Sequence, residues 1–185
     1  RSFRDDVSGD GKGGWTDEGE NDFRTMPLGS VRAAGIPFRI LDPAENNGVS
    51  CLVLRGTQRP HFPAAITGIR INEKLSRVFF LHTAAWGGQG KAGAYRIRYA
   101  DGTSIDYPLE GGVNIGDWWN IFSLPDARIG IERKNPQNQT VACYVTEWEN
   151  PKPELRIVSI DFLSLAALQT GEIDWNPANA AIPVL

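Results

Sequence analysis

The 185-residue chain has few histidines and cysteines and no excess of positive charge, which limits the metal, thiol and nucleic-acid sites that it can form. Its two histidines, His61 and His82, cannot form a three-histidine metal site, although two histidines with a carboxylate remain an option. No apolar run approaches the roughly 18 residues of a membrane span, so we expect no membrane partner. The net charge of -3 argues against nucleic acid as a partner, because a phosphate backbone requires a basic surface.

Cysteine is equally scarce, with one residue at position 51 and one at position 143. Cys51 and Cys143 each lie in an apolar, strand-like run, and this placement leaves two interpretations open. Both can be buried free thiols, or they can form one disulfide between neighbouring strands. The sequence also lacks a nucleophile elbow, a phosphate loop and a dinucleotide fingerprint.

Turn-forming residues are abundant, with 20 glycines and 12 prolines. They separate short apolar runs, which is the pattern of an all-β protein. We predict strands over residues 37–41, 50–55, 65–72, 76–83, 128–132, 140–147, 156–164 and 181–185, in addition to a hairpin over 94–109. A turn or two of helix is expected within 163–170. The length predicts a single domain over residues 1–185.

The hairpin over 94–109 is the clearest local signal. A three-residue loop that ends at Gly102 pairs Ile97 with Ile105 and Arg96 with Asp106. One face is then apolar and the other carries an ion pair, whereas a slip by one residue would destroy both features. A ribbon with one buried face needs a second layer, so we predict an antiparallel β-sandwich or barrel.

The acidic, glycine-rich segment over 6–17 matches the spacing of a twelve-residue calcium loop. The predicted ligands are Asp6, Ser8, Asp10, the carbonyl of Lys12, and Asp17. No amphipathic helix flanks the segment, so the site would not be an EF-hand. We predict a structural calcium ion, and the alternative is a solvated acidic loop that merely turns.

Six tryptophans give the chain an unusual supply of flat apolar faces. Trp86, Trp118, Trp119 and Trp175 lie beside loops. An indole packs against the C–H face of a sugar ring, and we select Trp86, Trp118 and Trp119 as candidate carbohydrate-stacking residues. The alternative is that these side chains close the ends of the sandwich as part of its core.

Candidates for catalysis are weaker. Glu147 and Glu149 flank Trp148, so strand alternation would place both carboxylates on one face, as a glycosidase pair requires. A strand face exposed to solvent explains the same pattern. His82 follows a strand-like run, and we interpret it as a hydrogen-bonded histidine at a strand end.

Several strings of this sequence resemble galactose-binding-like β-sandwich modules of secreted bacterial carbohydrate-active enzymes. They are DGKGGWTDEGENDFR, FRILDP, FFLHTAAWG, YRIRYADGTSIDYPL, NIGDWW and TEWENPKPELRIVSIDF. The resemblance covers residues 5–164. It implies a jelly-roll fold, an extracellular or periplasmic setting and a non-catalytic role, and it favours a structural calcium ion.

We therefore expect a carbohydrate-binding module, excised from a larger secreted protein, that brings an attached catalytic domain to polysaccharide. One alternative is a jelly-roll polysaccharide lyase or glycoside hydrolase, which should bring titratable groups together in a cleft. Another is a structural accessory domain of such an enzyme, which should keep its tryptophans buried and show an exposed apolar patch near the chain ends.

Overall fold

The computed structural model describes residues 1–4, 6–12 and 14–170. The predicted strand over 181–185 and Trp175 therefore lie outside the described residues. The elements of the described part are β1 (Gly29–Ala33), β2 (Ile36–Ile40), β3 (Ala65–Glu73), β4 (Arg77–His82), β5 (Gly90–Tyr99), β6 (Ser104–Gly111), β7 (Arg128–Lys134), β8 (Thr140–Glu149), β9 (Ile157–Ser164) and α1 (Leu165–Thr170). The short helix lies within the range predicted for it.

These strands form three antiparallel sheets. Strands β3, β9, β5 and β6 form a four-stranded sheet in that order, and β4, β8 and β7 form a three-stranded sheet. Strands β1 and β2 pair as a separate hairpin. The prediction of an all-β antiparallel fold is confirmed, and the arrangement is compatible with a β-sandwich; jelly-roll connectivity stays a prediction.

The three-stranded sheet contributes side chains to two hydrophobic cores, and β8 is its central strand. On one side, Val141, Cys143 and Val145 join what we call the N-terminal core. The other buried members of this core are Trp15, Phe23, Met26, Ala33, Ile40, Trp118 and Ile131. The N-terminal segment and the β1–β2 hairpin thus cover this side of the sheet.

The opposite side of β8 contributes Trp148 to a second core, which we call the inter-sheet core. It is formed mainly by the four-stranded sheet, and its other buried members are Tyr95, Ile97, Tyr99, Leu109, Ile115, Ile157 and Ile160. Because β8 supplies side chains to both cores, residues 141–146 are all buried. A strand covered on both faces reads as a continuous run in the sequence and not as an alternating one.

The hairpin of β5 and β6 has the predicted register. Arg96 lies opposite Asp106 and Ile97 opposite Ile105. The Arg96 guanidinium donates hydrogen bonds of 2.7 and 2.8 Å to the two carboxylate oxygens of Asp106, which holds the pKa of that carboxyl below its usual range. Gly102 has a φ of 84°, in the left-handed region that a three-residue loop requires.

His82 ends β4 and is buried beneath the hairpin. Its Nε2 lies 3.0 Å from the carbonyl oxygen of Asn114, which can only accept, so Nε2 carries the hydrogen. Nδ1 then accepts the hydroxyl hydrogen of Tyr95 over 3.1 Å. Burial lowers the pKa of His82 to about 4, although the bond to Asn114 acts in the opposite direction. The prediction of a hydrogen-bonded histidine at a strand end is confirmed.

Two strand predictions need correction. Residues 50–55 form no strand, because the backbone N–H groups of Ser50 and Cys51 donate to the carbonyl of Arg1, 2.7 and 3.0 Å away. The N-terminus of the chain thus takes the place of a neighbouring strand. Strand β1 was not predicted; its five residues alternate between partly buried and exposed positions up to the buried Ala33 and gain their ladder only by pairing with β2.

Replacing Gly102 with valine should lower the free energy of unfolding by more than about 1 kcal/mol, because a β-branched residue resists a positive φ. A Cβ atom at this position would meet no atom within 4 Å, so crowding contributes nothing. Gly56→Val is the matched control, since Gly56 is equally open and has no positive φ. Urea unfolding of both variants measures the difference, and equal losses would contradict the proposed cause.

The stability of the domain should fall as the pH decreases from about 6.5 to about 4. In this window the unfolded chain binds a proton at His82 and the folded chain does not. A pKa depressed from 6.5 to about 4 corresponds to about 3 kcal/mol lost across the window. His82→Gln should be less stable at neutral pH but should lack this part of the slope. Parallel pH profiles for the two proteins, measured by urea unfolding, would rule the explanation out.

Candidate functional site

Two loops meet at one end of the three-stranded sheet, and they carry the candidate tryptophans. The first follows β4 and the second follows β6. Ala84 and Asp117 form a parallel bridge between them. The N–H of Ala84 donates to the carbonyl of Gly116, and the N–H of Trp118 donates to the carbonyl of Ala84, both over 2.9 Å. The two loops are therefore held as one unit.

The side chain of Asp117 strengthens this junction. One carboxylate oxygen accepts the N–H groups of Trp119 and Asn120, at 2.8 and 2.9 Å, and the other accepts the N–H of Gly87, at 2.9 Å. One anion thus binds the residue after Trp86 and the backbone of Trp119 at the same time. Backbone amides offset its charge, so Asp117 fixes the positions from which both indoles project.

The structure separates the three candidate tryptophans. Trp86 and Trp119 are 46% and 38% exposed, whereas Trp118 is only 3% exposed. Trp118 packs edge-on against Trp15, with ring centroids 4.9 Å apart, and against Phe23. Trp118 is therefore a core residue in this structure and presents no face to a ligand.

Trp86 has two unusual features. Its φ of 54° is a conformation that a bulky residue rarely adopts. The guanidinium carbon of Arg59 lies 4.5 Å from the centroid of its ring, as in a cation–π contact. Sequence reasoning missed Arg59, because nothing in the local sequence places the loop around residue 59 beside Trp86.

The predicted calcium ligands are spread over the N-terminal segment, and several already have partners. The carboxylate of Asp6 pairs with Arg24 at 3.3 Å. The carbonyl of Lys12 accepts a hydrogen bond from the Arg1 guanidinium over 2.9 Å. Asp10 accepts the N–H of Lys12 over 2.7 Å. Ser8 is exposed.

Asp17 is the predicted ligand whose surroundings are suited to a cation. Its side chain is buried and Oδ1 has no hydrogen-bond partner, which is costly for a carboxylate. Oδ2 accepts the N–H of Gly11 and lies 3.9 Å from Arg59 and 3.8 Å from His61. Within residues 1–4, 6–12 and 14–170, no group of three or more His, Cys, Asp or Glu side chains could hold a metal ion. Calcium binding by this segment stays a prediction.

The candidate acid–base residues Glu147, Glu149 and His82 have surroundings that differ from those of Trp86 and Trp119. Glu147 and Glu149 both point outward from β8, as predicted, and Glu147 forms an exposed ion pair with Arg77 at 3.0 Å. His82 is enclosed by hydrogen-bond partners inside the core. No helix in the described residues is long and apolar enough to cross a membrane.

Both cysteines are free thiols that belong to the N-terminal core. Burial raises the pKa of Cys51 to about 12 and that of Cys143 further, so neither is a reactive thiolate at neutral pH.

The surface of the described residues has two shallow depressions. One, of about 570 Å³, follows the β1–β2 hairpin, and one, of about 420 Å³, lies over the N-terminal segment. Neither is lined by Trp86 or Trp119.

Comparison with known proteins finds no matching family model, curated protein or solved structure. The site must therefore be judged from its own geometry.

Calcium should raise the melting temperature and a chelator should lower it if the ion binds only the folded N-terminal segment. Asp10→Ala should abolish the difference between the two conditions. Asp42→Ala is a matched control, because Asp42 accepts the N–H two residues along the chain, over 2.8 Å, just as Asp10 does. A melting temperature that changes with neither calcium nor chelator would refute the calcium site.

Proposed function

We propose that this domain is a non-catalytic carbohydrate-binding module, and that Trp86 and Trp119 contact the sugar. The observation that carries the proposal is the exposure of these two indoles on loops that one carboxylate, that of Asp117, holds together. Exposed apolar groups that cluster on one surface are typical of binding sites, and the bonds of Asp117 tie the loops of these two indoles together.

The chemistry of the surface suits a saccharide. An indole offers an apolar face for the C–H groups of a sugar ring, and its N–H can bond a hydroxyl. Arg59 and Asn120 lie next to the indoles in space or sequence and add polar groups that can bond further hydroxyls. The positive φ of Trp86 supports the same function, because strained backbone conformations concentrate at functional sites.

The candidate binding surface is small, and its size limits the affinity for a sugar. Two indoles offer contact area for one or two sugar rings. Contacts of this size, set against the lost freedom of the ligand, give dissociation constants on the order of 10 µM to 1 mM. Such an affinity suits a module that holds an attached catalytic domain near an extracellular polysaccharide. A lyase or glycosidase on the same fold, or a structural accessory domain, is the alternative.

Binding should weaken about tenfold in Trp86→Ala and in Trp119→Ala, with little change in stability, because loss of one stacking contact corresponds to about 1.4 kcal/mol. Trp118→Ala is the matched control one residue away. It should lower the free energy of unfolding by about 3–5 kcal/mol, as expected for a buried tryptophan. Affinity electrophoresis on a panel of polysaccharides, with urea unfolding of each variant, measures both quantities.

The alternatives predict other outcomes for these variants. If all three substitutions unfold the domain and no polysaccharide binds, the accessory-domain interpretation replaces this one. If the domain cleaves polysaccharide and Glu147→Gln abolishes the cleavage, the domain is an enzyme.

A further inference from the structure

Arg59 is held in an unusual way. Its Nε donates to the carbonyl of Thr16 over 2.7 Å, one terminal nitrogen donates to the carbonyl of Gln58 over 2.9 Å, and the other donates to the carbonyl of Asp17 over 3.3 Å. All three acceptors are neutral. A guanidinium has five N–H donors, so two of them have no acceptor within the part of the chain that the structure describes.

The charge of Arg59 is less closely paired than that of Arg96 or Arg98. Arg96 and Arg98 each donate to a carboxylate oxygen over 2.7 Å. The carboxylate nearest to Arg59 among the described residues is that of Asp17, 3.9 Å from Nε, which is beyond hydrogen-bond distance. Asp17 also lies 3.8 Å from His61. The guanidinium is therefore positioned mainly by backbone carbonyls, and its ion pair with Asp17 is a loose one without a hydrogen bond.

This cation lies beside Trp86, one of the two indoles proposed to contact the sugar. The guanidinium lies over one face of the indole, and Trp86 is 46% exposed. A sugar that contacts the edge of the indole on this side would come next to Arg59. Two carboxylates lie near this surface: Asp17, 3.9 Å from Nε of Arg59, and Asp117, whose two oxygens accept three backbone N–H groups.

We propose that Arg59 determines the specificity of this surface, and that the saccharide it selects is acidic, with a carboxylate or a sulfate on the ring that Trp86 contacts. The inference rests on the proposed carbohydrate-binding function. Each terminal nitrogen of Arg59 has one further N–H that can donate to an oxygen of either group, and bonds to an anion are stronger than bonds to a hydroxyl.

Matched pairs of ligands test the charge directly. Polygalacturonate is compared with its methyl ester, and a sulfated galactan is compared with the same polymer after desulfation. We expect the acidic member of at least one pair to bind about tenfold more tightly, as one charge-assisted bond supplies. The pair that shows the preference identifies the group as carboxylate or sulfate. The preference should shrink as NaCl rises from about 50 to about 500 mM, because salt screens surface charges.

Arg59→Gln should abolish the preference, so that the acidic and neutral members bind equally well, and the ratio of the two affinities is the readout. Arg55→Gln is the matched control: Arg55 also donates to a backbone carbonyl, that of Phe62, and the substitution removes the same charge from the same loop. Arg59→Lys should keep a reduced preference, because the charge remains and the fork is lost. Melting temperatures verify that each variant is folded.

The outcomes separate the two proposals. Equal binding of acidic and neutral members by the unmodified domain, or a preference that survives in folded Arg59→Gln, overturns the assignment of Arg59 and leaves carbohydrate binding intact. Failure to bind any member of either pair, together with failure on the wider polysaccharide panel, overturns carbohydrate binding and this inference with it.

Discussion

The burial of β8 on both faces is the constraint on which the rest of this structure depends. Its edges bond to β4 and β7, so the backbone polar groups of the strand are satisfied away from water. The strand also forms hydrogen bonds to the β6–β7 loop, through its backbone and through one side chain. The N–H of Ala142 donates to the carbonyl of Trp118 over 2.8 Å, and the Thr146 hydroxyl donates to the carbonyl of Asn114 over 2.7 Å. The buried strand thereby positions the loop that carries Trp119.

The candidate site inherits its rigidity from this scaffold. A loop that is fixed before the ligand arrives loses little conformational freedom on binding, so more of the contact energy remains as affinity. Asp117 extends the fixation from the β6–β7 loop to the loop that carries Trp86. Arg59 extends it further, to the N-terminal segment, through the carbonyls of Thr16 and Asp17. Segments far apart in the sequence thus form one continuous surface.

The features that could be predicted from the sequence are those encoded within a few residues. The register of the β5–β6 hairpin follows from Gly102 and from the alternation around Arg96 and Asp106, because the partners lie ten residues apart. Residues 50–55 were mistaken for a strand because apolar content indicates burial and not the partner of the backbone. That partner is Arg1, which is some fifty positions away and leaves no mark on the local pattern.

Trp118 and Trp119 show the limit of what the local sequence says about burial. Trp118 and Trp119 are consecutive residues in a bend, and the structure buries the first and exposes the second. The pattern alone does not say which of the two is buried, because that depends on Trp15, about a hundred positions earlier in the chain. Arg59 is a stronger case. Several arginines in this chain lie in similar polar surroundings in the sequence, and only the folded structure distinguishes the one whose guanidinium lies over an exposed indole. Short stretches of sequence therefore encode the hairpin at the centre of the fold, whereas the surface around Trp86 arises from contacts between distant segments.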